Sequence, residues 1–150
     1  MARISHLVRI RAQREEVFRR IATTEGIAGW FTESSSPAYR AGGTLELRFP
    51  DQRVSFAVTE LVRPSRVVWH CVSQGNPWLG TDVVFELVEE GGRTIVRFDH
   101  AGWPDVTDLF RDCSMSWAYF LESLRTFVEE GRGTPESLAP PCESELSGGG

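Results

Sequence analysis

One stretch constrains the fold of this chain more than any other. Between residues 105 and 131, Val106, Phe110, Cys113, Trp117, Phe120, Leu121, Leu124 and Val128 recur at steps of three and four. That spacing puts them on one face of an α-helix. Pro104 followed by Asp105 offers a start, with Thr107 or Asp108 as alternative caps. Gly131 and Gly133, with Pro135 just beyond, supply the stop. At about 1.5 Å per residue such a helix is roughly 40 Å long. Its apolar face is bulky and aromatic, so it needs a broad partner.

The preceding sequence offers one. Residues 3–10 alternate, with Ile4, His6, Val8 and Ile10 against Arg3, Ser5, Leu7 and Arg9, and read as a first strand whose inner face His6 interrupts. Over residues 13–21, Val17, Phe18 and Ile21 take up helical spacing. Thr23 and Thr24 break that helix, and Thr24 can cap a second short one ending at Gly29, Trp30 and Phe31. Residues 32–43, rich in Ser and Gly with Pro37, form a loop. Strands are then predicted over 44–49, 53–62, 66–73, 81–89 and 93–101. Turns fall at Pro50-Asp51-Gln52, Arg63-Pro64-Ser65 and Glu90-Gly91-Gly92. In the strand over 66–73 either Val67, Trp69 and Cys71 or Val68, His70 and Val72 can face inward.

Short connections make these strands an antiparallel meander, linked through Gly102-Trp103-Pro104 to the long helix. The expected class is α+β. A curved antiparallel sheet of about six strands wraps the C-terminal helix, with two short helices after the first strand. Residues 1–133 should form one domain. Residues 134–150 shift to Thr, Pro, Ser, Glu and Gly, too poor in apolar surface to order themselves, and should be a disordered tail.

Composition narrows the function classes. A formal net charge of -5 gives no general electrostatic support for nucleic-acid binding. Residues 1–10 are too short and charged for a signal peptide, and no apolar run approaches a membrane span, so a cytoplasmic location is expected. Cys71, Cys113 and Cys142 are too few and too widely spaced for a disulfide framework or a zinc site. Cys71 and Cys113 read as small buried hydrophobes and Cys142 as an exposed thiol. No phosphate loop, dinucleotide pattern or nucleophile elbow is present, and neither a cofactor nor a metal is expected.

Val17-Phe18, Gly29-Trp30-Phe31, Gly43, Arg63-Pro64 with Val67-Val68-Trp69, His100-Ala101-Gly102-Trp103, and Trp117 with Leu121 and Leu124 occur in a characteristic order. In these the chain resembles the START-like, or SRPBCC, helix-grip superfamily over about residues 3–133. Within it, the chain is similar to bacterial proteins resembling the C-terminal domain of the activator of heat-shock-protein-90 ATPase. The resemblance implies an apolar cavity between sheet and long helix. Superfamily members include lipid carriers, polyketide cyclases and aromatases, hormone receptors and oxygenase subunits. The eukaryotic activator relies on a further N-terminal domain that has no counterpart in this sequence. Fold alone does not choose among these activities.

Five Trp and nine Phe suit either a dense core or an apolar pocket. Trp30, Phe49, Phe56, Trp69, Phe85, Phe98, Trp103, Cys113, Trp117, Phe120 and Leu121 are candidate cavity residues, set against the alternative that close packing fills the space with them. His100 shares a strand face with Val96 and Phe98 and is the one catalytic candidate, an acid or base near neutral pH. Its other reading is a structural histidine bonded to loop backbone. Glu60 marks either a bend or a cavity-facing carboxylate. His70 beside Cys71 cannot form a dyad, because adjacent strand residues face opposite sides.

The leading expectation is an intracellular binding protein for a small hydrophobic or aromatic molecule. A cyclase-, aromatase- or hydrolase-like enzyme using the same cavity is the first alternative. The second is a protein-interaction module, a homodimer or a chaperone contact, with Trp78 in an exposed loop and Trp103 beside the helix as anchors.

Overall fold

The computed structural model describes residues 1–34, 39–50 and 52–135. Most of the expected tail, with Cys142, lies outside these residues, as do Pro37 and Asp51. The chain runs β1 (Ala2–Ile10), α1 (Arg14–Ile21), α2 (Thr24–Trp30), β2 (Glu33–Ser34), β3 (Thr44–Phe49), β4 (Gln52–Val62), β5 (Arg66–Cys71), β6 (Asp82–Glu90), β7 (Arg93–Trp103) and α3 (Asp108–Glu130). The strands form one antiparallel sheet in the order β1-β7-β6-β5-β4-β3-β2. Six long strands carry the sheet, as expected, and the two-residue β2 adds a short edge. The meander therefore holds from β3 to β7, while β1 closes the far side against the last strand, with Ile4 opposite His100 and Ile10 opposite Thr94.

Alternation decides which side chains meet the helix. Leu45 and Leu47, Val54, Phe56 and Val58, Val83, Phe85 and Leu87, and Val96 and Phe98 all point to the interior and are buried. On β5 the inner set is Val67, Trp69 and Cys71, which resolves the ambiguity of that strand. The register slips between Val58 and Glu60 on β4, a bulge that carries Glu60 outward to Arg66 at 3.2 Å. Glu60 thus marks a bend, not a carboxylate facing the interior.

Helix α3 starts later than the Pro104–Asp105 signal suggests. Thr107 is its cap, its hydroxyl accepting from the Phe110 amide at 3.2 Å. It stops at Gly131, which is left-handed at φ 79°, the conformation that ends helices and that glycine adopts at no steric cost. The 23 residues span roughly 34 Å. Cys113, Trp117, Phe120, Leu121 and Leu124 are buried against the sheet. Helix α2 crosses α3 closely because Gly29 has no side chain. A Cβ there would lie 2.1 Å from the Phe127 ring. Its cap is Thr23, one residue before the expected Thr24, accepting from the Gly26 amide at 3.0 Å. At the far end of α3, the Glu129 carboxylate accepts from the Arg11 backbone amide at 2.8 Å, tying the helix to the end of β1.

Candidate functional site

Between sheet and helix the aromatic side chains meet ring on ring. Phe31, the last residue of the Gly-Trp-Phe run, is the hub. Its ring lies 4.6 Å from Phe120, 5.1 Å from Trp117, 5.6 Å from Phe49 and 6.4 Å from Trp69, centre to centre. On the sheet side Trp69 meets Phe85 at 5.1 Å, Phe85 meets Phe98 at 5.3 Å, and Phe98 meets Trp117 at 4.5 Å. These spacings are those of favourable edge-to-face and tilted pairs. Phe56 joins from β4 through Trp69 at 5.7 Å. Trp30 packs edge-on to Phe85 at 6.1 Å. The cavity candidates named from sequence therefore come together in one cluster, with Phe49 partly exposed at its rim.

At the end of the cluster near the start of α3, His100 is fully buried and both of its ring nitrogens are engaged. Trp117 Nε1–H donates to His100 Nδ1 at 3.0 Å. With Nδ1 accepting, the proton sits on Nε2, which donates to Thr81 Oγ1 at 2.8 Å. Thr81 in turn donates to the Trp78 carbonyl at 2.6 Å. The relay runs from helix to sheet to loop and leaves no valence on the imidazole unused. Burial pushes the His100 pKa down from 6.5 to about 3, so the ring is neutral at ordinary pH. Both partners are side chains, one on α3 and one on the loop before β6, where the sequence reading of a structural histidine expected loop backbone. No carboxylate touches the ring among the described residues.

The five indoles divide sharply. Trp30 donates to the Arg20 carbonyl at 2.9 Å, Trp69 to the Tyr39 hydroxyl at 2.7 Å, and Trp117 to His100. Trp78 and Trp103 are also buried, yet their Nε1–H groups have no acceptor among the described residues. Both rings stand edge-on to His100, at 4.9 and 5.0 Å. A buried donor without a partner costs about 1–3 kcal/mol, and two such donors flank one imidazole here.

These positions correct the reading of Trp78 and Trp103 as surface anchors. They are only 5% and 3% exposed. The loop after β5 folds back because the Asn76 side chain accepts from the Trp78 amide at 2.8 Å, turning the indole inward to stack on Trp117 at 6.0 Å. Sequence reasoning also missed Phe31 as the hub and Tyr39 as the partner of Trp69. An aromatic residue inside a Ser- and Gly-rich loop was the available signal for Tyr39. Burial raises the Tyr39 pKa well above the ordinary tyrosine value, so the phenol stays protonated.

Elsewhere, His70 bonds Asp82 across strands at 2.8 Å on the outer face, away from buried Cys71. Cys71 is a free thiol whose pKa burial raises. Cys113 is equally buried in the core. A polar cleft of about 420 Å³ lies on the outside, between Gln52, Ser55 and the loop through Asn76, and none of the expected cavity residues lines it. Among the described residues no group of His, Cys, Asp and Glu could hold a metal ion, and no helix is long and apolar enough to cross a membrane.

Comparison with known proteins identifies the fold. The sequence profile described as Activator of Hsp90 ATPase homolog 1-like protein matches residues 11–129. A solved structure, that of the Aha1 dimer from Colwellia psychrerythraea, is 31% identical with a TM-score of 0.81, covering 89% of this chain and 100% of that one. Bacillus halodurans protein BH1534 is 27% identical at a TM-score of 0.73, covering 86% and 98%. CalU16 from Micromonospora echinospora, at 24% identity and a TM-score of 0.72 over 86% and 77%, shares the fold. No curated protein matches significantly.

Proposed function

The chain belongs to the family of activator of Hsp90 ATPase homolog 1-like proteins, and from that premise we propose that it binds a small hydrophobic, preferably aromatic, molecule between sheet and α3. The ligand enters the ring cluster at the end marked by Trp78, His100 and Trp103 and carries an oxygen acceptor. The observation that supports this reading is the pair of unpartnered indole N–H groups beside His100. Neutral carbonyl or phenol oxygens would satisfy them, whereas a charged group would lose its hydration with no counter-ion near. Binding is favoured over turnover because His100, with both nitrogens committed, has no lone pair or proton to lend a reaction without breaking the relay.

A thermal-shift screen of aromatic carbonyl compounds and phenols tests this. At about 100 times its Kd a ligand stabilises the native state by about 2.7 kcal/mol, which raises the Tm of a chain this size by about 5–10 °C. Trp78→Phe and Trp103→Phe keep the ring and delete the donor, and each should weaken a carbonyl ligand by roughly tenfold. If no compound in either class shifts the Tm, small-molecule binding is excluded as the function.

A second reading, self-association, has its own support. The Colwellia relative is a dimer, and α3 of this chain leaves Met115 and Tyr119 58% and 49% exposed.

A further inference from the structure

Resting on that second reading, we propose that the outward face of α3 is a two-fold interface on which a second copy of this chain packs antiparallel. Met115, Ala118 and Tyr119 form an exposed apolar patch midway along the helix. Charged pairs bracket it. Arg111 bonds Asp108 at 3.2 Å on the N-terminal side, and Arg125 pairs with Glu122 on the C-terminal side. In an isologous interface residue i faces j and j faces i. If the axis passes between Ser116 and Trp117, Met115 faces Ala118, Arg111 faces Glu122, and Asp108 faces Arg125, all about the same centre. Each end of the helix pair then holds Asp108 and Arg111 of one copy beside Arg125 and Glu122 of the other, four alternating charges around an apolar middle.

The match depends on direction. A parallel pairing in register sets Arg111 on Arg111 and Glu122 on Glu122, which repel. Ala118 at the centre has only a methyl group, so the axes can approach to the 8–10 Å typical of packed helices. The Asp108–Arg111 pair is exposed and holds little energy of its own, and Arg125, half-buried and bonded to both Glu122 and Glu129, keeps guanidinium donors that can turn to the partner's Asp108. A helix face roughly 34 Å long and about 12 Å wide offers on the order of 400 Å² per copy, about half a standard interface. The dimer should therefore be a weak one, with Kd in the micromolar range.

Sedimentation equilibrium of the full chain from about 10 to 300 μM gives the test. The wild type should pass from monomer to dimer. Ala118→Glu, at an exposed site, should raise the dimer Kd at least tenfold with an unchanged circular dichroism spectrum. Arg111→Glu and Glu122→Arg should each weaken self-association. Mixed one to one, these two should recover dimers as heterodimers, because every cross-axis charge is again opposite. That recovery does not depend on how well the Ala118→Glu chain folds. A dimer indifferent to all three changes would overturn this face while leaving self-association standing. A wild type monomeric throughout would overturn both.

Discussion

Replacing His100 by Leu separates burial from hydrogen bonding in one measurement. The change leaves Trp117 Nε1–H buried without an acceptor and removes the donor to Thr81. An unpartnered buried donor costs about 1–3 kcal/mol, and with imperfect refilling of the site the loss at pH 7.5 should be about 3 kcal/mol. The pH dependence is the sharper readout. In the unfolded chain His100 takes a proton near 6.5, whereas in the native state burial holds it neutral down to about 3. Between those values the unfolded state binds more protons, so stability rises with pH and is lost on acidification, by about 1.4 kcal/mol per pH unit. The wild type should thus lose about 2 kcal/mol from this one group between pH 7.5 and 5. The Leu chain cannot titrate there, while every other group is common to both. The difference between the two should shrink from about 3 to about 1 kcal/mol over that range. Urea unfolding followed by tryptophan fluorescence at pH 7.5, 6 and 5 measures it. A difference that stays constant would mean the folded protein protonates His100 normally, and the neutral relay would be refuted.

Two further substitutions probe what holds the helices. Gly29→Ala puts a methyl group on the Phe127 ring and should cost about 1–3 kcal/mol, read as a Tm lower by about 3–10 °C; an unchanged Tm would mean α2 and α3 are not in the tight contact described. Thr107→Ala removes the acceptor for the Phe110 amide and should cost about 1 kcal/mol in urea unfolding, while Thr107→Ser should restore most of it.

The long helix was readable from residues 105–131 because its period is a local property and burial follows from it. Its true start was less so, since Pro104 and Thr107 both carry start signals and only the hydroxyl geometry at Phe110 decides between them. The face of β5 could not be read, because both of its sides are apolar and Val68 is itself only 6% exposed on the outside. Among the candidate site residues, strand alternation puts Phe56, Phe85, Phe98 and His100 on the side that is buried, whereas for Trp69 on β5 it left both faces open. Loops have no such period. Trp78 and Tyr39 turn inward because of the hydrogen bonds made by Asn76 and Trp69, and nothing in their neighbours' spacing announces those bonds. Likewise Phe31 gains its central place from the angle at which α2 ends above the sheet, which is a tertiary fact.

The closure of the sheet by its first strand sets a timetable for biosynthesis. Ile10 must wait for Thr94, and Ala2 for Trp103, before either finds its ladder partner. At about 5–20 residues per second of translation, the leading strand emerges several seconds ahead of its mate. During that interval Arg3 and Arg9, spaced along an otherwise adhesive segment, discourage it from joining a neighbouring nascent chain. The rod that covers the aromatic interior follows every strand of the sheet in the chain, so native burial must wait until α3 has been made.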